Sequence, residues 1–318
     1  CFDAIGDEAQ AVRFYKKASK LNPVSNISLL ALANLYYNKE DYENAAKFAH
    51  TVLKKFPDNA SAKLILGNVA YCEHQYETAF AFYEEVYKSN PKSYIALINM
   101  ANTCYDLERY VKAIDYATLA LKINPSSVDA YIILGNSYME LGKTEKAELN
   151  LLKALDFRSD NPWIYNSLSR LYQKSEAWDD ALNFGWKSVL FAGDAEEAQH
   201  INFGYLLYEC VDEKSSDAAL SYAKKWQDAF PKNKLVQYMA ASVLEDKKTK
   251  KADTEYIQKI FDAFADDFDQ TLDGLEYLVP QYIGETVQKN FKKDFWRKTK
   301  YLDLGCGTGL CAAYVKPH

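Results

Sequence analysis

Pro23, Pro57, Pro91 and Pro125 stand 34 residues apart. A fixed step of that length means that one supersecondary unit repeats along the chain, which constrains the fold more than any local propensity. Other residues keep the same step. Ala11, Ala45, Ala79, Ala113, Ala147 and Ala181 fall on it, as do the pairs Leu32–Ala33, Leu66–Gly67, Met100–Ala101, Leu134–Gly135 and Leu168–Ser169. A further position reads Ala18, Val52, Val86, Ala120, Ala154 and Ser188. Within a unit the apolar residues recur at helical spacing, as in Ala130, Ile133, Leu134 and Tyr138 followed by Ala147, Leu151 and Leu155. The pattern predicts two helices per unit, small residues where they approach closely, and proline closing the second helix.

Composition agrees with an almost wholly helical chain. Only 12 glycines and 8 prolines occur in 318 residues, about half the usual share of these two residues in soluble proteins. That scarcity excludes a loop-rich β-sandwich, a collagen-like chain and a disordered linker. Apolar residues make up 48% of the chain and charged residues 26%, enough for a sizeable core, and no apolar run has the length of a membrane span. A net charge of −6 gives no general attraction to nucleic acid or an anionic membrane, so neither is expected as a partner. The six cysteines (Cys1, Cys72, Cys104, Cys210, Cys306 and Cys311) contain no C-x-x-C pair, and the four histidines form no ligand-spaced cluster with them. Reduced thiols in a cytoplasmic protein are expected, and no metal site.

The 34-residue pattern resembles that of the tetratricopeptide repeat family, whose unit is a helix–turn–helix. Full units are expected at 26–59, 60–93, 94–127, 128–161 and 162–195. At the last junction Ser159 takes the place of proline, and Pro162 opens the next helix, a favoured first-turn position. In a sixth unit Phe203–Gly204 match the Leu–Gly pair and Ala219 to Pro231 the second helix, with about three extra residues in 211–217. The insertion is expected to lengthen only the turn between helices. Residues 3–20 read as a second helix whose first is absent, and 234–247 as a helix closing the stack. The resemblance implies a right-handed α-solenoid over 1–233, with a closing helix and hinge at 234–250.

In the first helices Asn34, Asn68, Asn102 and Asn136 recur, with Tyr37, Tyr71 and Tyr105 three residues after the first three of them. Residues so spaced share a helix face, and in this family that face generally looks into a concave groove. Amides offer donors and acceptors to an extended peptide backbone, and tyrosine adds apolar contact with a polar tip. The partner expected is therefore a protein or peptide in the groove. The alternative is that these amides bond to neighbouring helices. Arg170 interrupts the row in the fifth unit.

Beyond the basic run Lys247-Lys248-Thr249-Lys250-Lys251, which reads as a solvated hinge, the repeat stops. Residues 255–290 read as two amphipathic helices, the first carrying Ile257, Ile260, Phe261, Phe264 and Phe268 on one stripe. Tyr301-Leu302-Asp303-Leu304-Gly305-Cys306-Gly307-Thr308-Gly309-Leu310 then reads as a strand, a glycine turn and a helix start. With Tyr256, Phe261-Asp262, Phe268-Asp269, Tyr277 and Pro280 ahead of it, this block resembles the first motif of class I S-adenosylmethionine-dependent methyltransferases. The lead-in is similar to that of a bacterial family that joins such repeats to a methyltransferase domain. The resemblance implies that Gly305, Gly307 and Gly309 surround the methionine part of S-adenosylmethionine, with Asp303 orienting its amino group. A glycine turn in another α/β domain is the alternative. Only nine residues follow Gly309, so the expected fragment, 251–318, holds the opening helices and first strand of an incomplete α/β domain. It is expected to be inactive as it stands, both ends of the chain being cuts in a larger protein. No catalytic residue is identified, and a non-catalytic repeat scaffold is the competing reading.

Overall fold

The computed structural model describes residues 8–21, 26–213 and 216–244 of the chain. The backbone divides into two units, Cys1–Tyr222 and Ala223–His318. The first contains α1 (Glu8–Leu21), α2 (Ile27–Asn38), α3 (Tyr42–Lys55), α4 (Ala60–Cys72), α5 (Tyr76–Ser89), α6 (Tyr94–Asp106) and α7 (Tyr110–Ile123). It continues through α8 (Val128–Glu140), α9 (Thr144–Phe157), α10 (Pro162–Lys174), α11 (Trp178–Ala192) and α12 (Glu197–Glu213). The boundary falls within α13 (Ser216–Ala229), and α14 (Lys234–Val243) belongs to the second unit. The described residues are helical and contain no strand. The amphipathic helices expected at 255–290, the strand and the glycine motif with Asp303, Gly305, Gly307 and Gly309 lie outside the described residues.

The repeat is punctuated by the same chemistry each time. Pro57, Pro91 and Pro125 each follow a second helix by two residues. Two residues further on, Asn59, Ser93, Ser127 and Asn161 cap the next first helix. Their side-chain oxygens accept from the amides of Ala62 (2.9 Å), Ala96 (3.4 Å), Ala130 (3.1 Å) and Trp163 (2.9 Å). Ser127 also meets the Tyr94 hydroxyl at 2.6 Å, tying the start of α6 to the cap of α8.

The turn inside each unit is equally regular. Glu40, His74, Glu108, Gly142 and Glu176 take φ of 58, 58, 56, 68 and 56°. At each, the following residue donates its amide to the carbonyl five residues back, as Arg109 does to Cys104 at 2.7 Å and Ala177 to Tyr172 at 2.9 Å. This is the left-handed helix ending that glycine adopts without a Cβ penalty. Gly142 alone is glycine; the other four are held in a conformation that costs an L-residue about 1–2 kcal/mol. Glu108→Gly and Glu176→Gly are each expected to raise stability by roughly 0.5–1 kcal/mol, and Gly142→Ala to lower it by a similar amount. Denaturant unfolding of the three single variants measures both signs.

The seam between the two helices of a unit is filled by size compensation across positions 16 residues apart. Gly67 lies under the Tyr83 ring and Gly135 under the Leu151 side chain. A Cβ added at either would come within 2.4 and 2.5 Å of those side chains. Where both positions are alanine, Ala33 with Ala49 and Ala101 with Ala117, both are wholly buried in one cluster. Successive first helices also touch, α2 on α4, α6 on α8, α8 on α10 and α10 on α12. They therefore lie on the inner side of the stack.

The sixth unit corrects one expectation. The extra residues do not simply lengthen its turn: α12 runs 17 residues to Glu213, against 13 in α10. Those residues contain no glycine or proline, so continuing the helix keeps their backbone bonded. In the second unit, Asn233 caps α14 through the Val236 amide at 3.2 Å, and Gln237 Nε2 donates to the carbonyls of Gln227 (2.9 Å) and Phe230 (3.1 Å).

Candidate functional site

The four asparagines of the first helices are placed on one row by the repeat but are not equivalent. Asn68 is spent on structure: its Oδ1 accepts from the Tyr83 hydroxyl at 2.8 Å and from Asn99 Nδ2 at 3.0 Å. The second of these bonds crosses from α6 to α4. Asn34 is exposed and Asn102 half-buried, and neither side chain has a hydrogen-bond partner among the described residues. Asn136 Oδ1 is buried and has no partner in the protein. In the fifth unit Arg170 takes the asparagine's place on the row. It contacts Glu140 at 3.1 Å, and Lys174 reaches the other oxygen of the same carboxylate at 2.5 Å.

The tyrosine row has a double use. Tyr37, Tyr71 and Tyr105 pack against Tyr42, Tyr76 and Tyr110, the residues that open the second helices, with ring centroids 5.9, 5.4 and 5.6 Å apart. The Tyr71 hydroxyl donates to Asp106 in the next unit, and Tyr37 meets Cys72 at 3.4 Å. Burial, above all, raises the Tyr37 and Tyr71 phenols above their ordinary pKa, so both remain protonated donors. The partner row was missed from sequence although it left a signal: tyrosine also recurs at 42, 76 and 110, and where Met139 replaces the first tyrosine, Thr144 replaces the second.

The sequence also gave no sign of a cleft between α10, α11 and α12. Ser169, Gly185 and Ser188 are small at once, and a cavity of about 180 Å³ remains beside them, bounded by Asn166, Arg170, Gln199, Asn202, Phe203 and Leu206. Phe203 and Leu206 fill part of the space, approaching within 2.8 and 3.0 Å of where a Gly185 Cβ would lie. Gln199 is 1% exposed. Its Oε1 lies 3.3 Å from the Ser188 hydroxyl, and its Nε2 has no partner in the protein.

Next to it, His200 is wholly buried with Nε2 2.9 Å from the Gly193 carbonyl, a contact that suits a neutral ring donating from that nitrogen. Burial lowers its pKa below 6.5; the Gly193 bond, Asp194 and Glu197 oppose the shift but do not overcome it. The unfolded chain therefore takes up this proton at a higher pH than the folded chain. The stabilising contribution is complete above pH 6.5 and declines as pH falls below it toward the lowered value. Thermal melts between neutral and mildly acid pH should show a steeper loss of Tm for the parent than for His200→Gln, which keeps a donor for Gly193.

The remaining reactive groups are quiet. Burial pushes the thiols of Cys104 and Cys210 up to about 11 and about 12, so neither supplies a thiolate nucleophile at neutral pH. Among the described residues no group of three or more His, Cys, Asp or Glu side chains is placed to hold a metal ion. No described helix is long and apolar enough to cross a membrane. The inner face offers hydrogen bonds, ring faces and a charged trio to a ligand.

Comparison with known proteins agrees with the repeat geometry. A family model described as anaphase-promoting complex, cyclosome, subunit 3 matches residues 38–120 and 72–154, and one described as TPR repeat matches 135–175. A tetratricopeptide repeat protein from Parabacteroides merdae has a similar structure over 77% of this chain and 95% of its own, at 16% identity and a TM-score of 0.60. The Pseudomonas aeruginosa pilF structure is similar over 68% of this chain and 97% of its own, at 19% identity and TM-score 0.52. The Cut9–Hcn1 hetero-tetramer of the anaphase-promoting complex is similar over 76% of this chain and 47% of the matched chain, at 17% identity and TM-score 0.53. These likenesses show the fold. The curated proteins include no match to this chain.

Proposed function

We propose that this chain, whose residues 38–120, 72–154 and 135–175 match repeat models, is a tetratricopeptide-repeat interaction scaffold binding an extended segment of a partner protein along its first helices. The observation that carries this reading is the pair Asn34 and Asn102, amides on the inner row with no partner among the described residues, flanked by the rings of Tyr37 and Tyr105. An amide left open on such a face can satisfy both groups of a passing peptide bond, and a tyrosine beside it adds contact area. Peptides selected from a random display library on the full-length protein provide the probe. Asn34→Ala combined with Asn102→Ala should weaken their binding about tenfold or more without changing the melting curve. Equal binding by parent and variant would sink the groove reading.

A second reading concerns residues 251–318 and rests on their sequence alone. We propose that they open an S-adenosylmethionine-dependent methyltransferase domain, with Gly305, Gly307 and Gly309 forming the cofactor loop and Asp303 at its edge, so that the repeats would bring a protein substrate to an enzyme. When bound, the cofactor would supply an electrophilic methyl group. The support is the run Leu302-Asp303-Leu304-Gly305-Cys306-Gly307-Thr308-Gly309 following lead-in residues of amphipathic pattern. Calorimetric titration of the full-length gene product with S-adenosylmethionine tests it: binding heat that Asp303→Ala and Gly307→Val both abolish is expected, and no heat from a demonstrably folded product would reject it. A cytoplasmic location fits both readings.

A further inference from the structure

We propose that the cleft between α10, α11 and α12 receives one acidic side chain, Asp or Glu, of the extended peptide. This deepens the groove reading and rests on it. The cleft is built by three departures from the repeat. Where the four units before it have Ala or Gly, the fifth has Ser169; where they have Ala, Tyr or Leu, it has Gly185; where they have Val or Ala, it has Ser188. Gly185 withdraws side-chain volume and the two serines line the space with hydroxyls, beside room of about 180 Å³ for a side chain entering from the inner face.

The polarity of the cleft selects its occupant. At its wall lies Gln199, almost wholly buried, whose Nε2 has no partner among the described residues. A buried donor left unmatched is costly, and few are kept without a reason. The Ser188 hydroxyl lies 2.9 Å from the Pro162 carbonyl and 3.3 Å from Gln199 Oε1, and neither contact involves the Gln199 NH2 group. The only charged side chain lining the cleft is Arg170. Its NH2 is engaged by Glu140 at 3.1 Å, and a guanidinium has further N–H donors in a planar fork. With Lys174 sharing Glu140, the trio keeps a net positive charge. A carboxylate is acceptor-only and has two oxygens, one for the Gln199 amide and one for Arg170. A carboxamide would set its own NH2 against these donors, and a lysine would meet like charge.

The test uses the same display library on the full-length protein, followed by equilibrium binding of a selected peptide and its acid-to-amide counterpart. Selected peptides should share one acidic position, and the amide counterpart should bind about 10–100-fold more weakly. Gln199→Leu and Arg170→Gln should each cost about tenfold in affinity for the acidic peptide and nothing for its amide counterpart. Gln199→Leu also removes the unmatched donor, so its melting temperature should be no lower than the parent's, which separates lost binding from lost fold. Peptides that lose affinity on Asn34→Ala with Asn102→Ala but bind both cleft variants as tightly as the parent would overturn the proposal while the groove stands. Selected peptides without an acidic preference would also overturn it. If no selected peptide responds to the asparagine pair, the groove reading fails and the proposal with it.

Discussion

Leu151→Ala is expected to lower stability by about 2–5 kcal/mol and to reverse the sign of Gly135→Ala. In the parent, a methyl group on Gly135 would come within 2.5 Å of the Leu151 side chain, which is wholly buried and has nowhere to move. Overpacking of that kind costs about 1–3 kcal/mol. With Leu151 cut back, the clash is gone, the nearest remaining atom is the Ala147 carbonyl at 3.3 Å, and alanine is the better helix former by about 1 kcal/mol. The double variant should therefore be at least as stable as Leu151→Ala alone, as the neighbouring unit, with Ala101 and Ala117 at the same positions, suggests. A double-mutant cycle in denaturant measures the coupling. Additive losses would show that the seam is soft enough to absorb either change and that size compensation does not hold the unit together.

Two asparagines on the same row should fail in opposite ways. Asn68→Ala strands the Tyr83 hydroxyl and the Asn99 amide that now converge on its Oδ1, and is expected to cost about 1–3 kcal/mol of stability. Asn102→Ala removes no bond among the described residues and should leave the melting curve in place, while weakening a bound peptide about tenfold where its amide is used. Thermal melts and peptide binding on the two single variants give the comparison. A destabilised Asn102→Ala would mean that the row is scaffold throughout.

Much of this architecture is visible in the chain itself because the repeat forces the same solution on each unit. The repeat grid places unit starts at 26, 60, 94, 128 and 162, and the first helices α2, α4, α6, α8 and α10 begin at 27, 60, 94, 128 and 162. Three features were not visible. The left-handed turn at Glu40, His74, Glu108 and Glu176 was hidden because only Gly142 carries the residue that announces it. The divergent roles of Asn68 and Asn102 depend on Tyr83 and Asn99, partners supplied by α5 and by the next unit, which a count along one helix does not reveal. The cleft beside Gln199 arises where Gly185 stands opposite Ser169 and the polar residues of α12, a conjunction across three helices that each position read singly conceals. The insertion in the sixth unit was located correctly but assigned to the turn, because sequence fixes where residues are added more firmly than whether they continue a helix.

The central claim is that the partner lies along the first helices. Photo-crosslinking from a benzophenone side chain tests it directly, placed either at position 95 on α6, where Ile95 is 56% exposed and two turns before Asn102 on the same face, or at position 111 on α7, where Val111 is 62% exposed. With a library-selected peptide as probe, capture from position 95 and none from position 111 is the expected result. Capture from position 111 with none from position 95 would place the partner on the outer helices and contradict the groove.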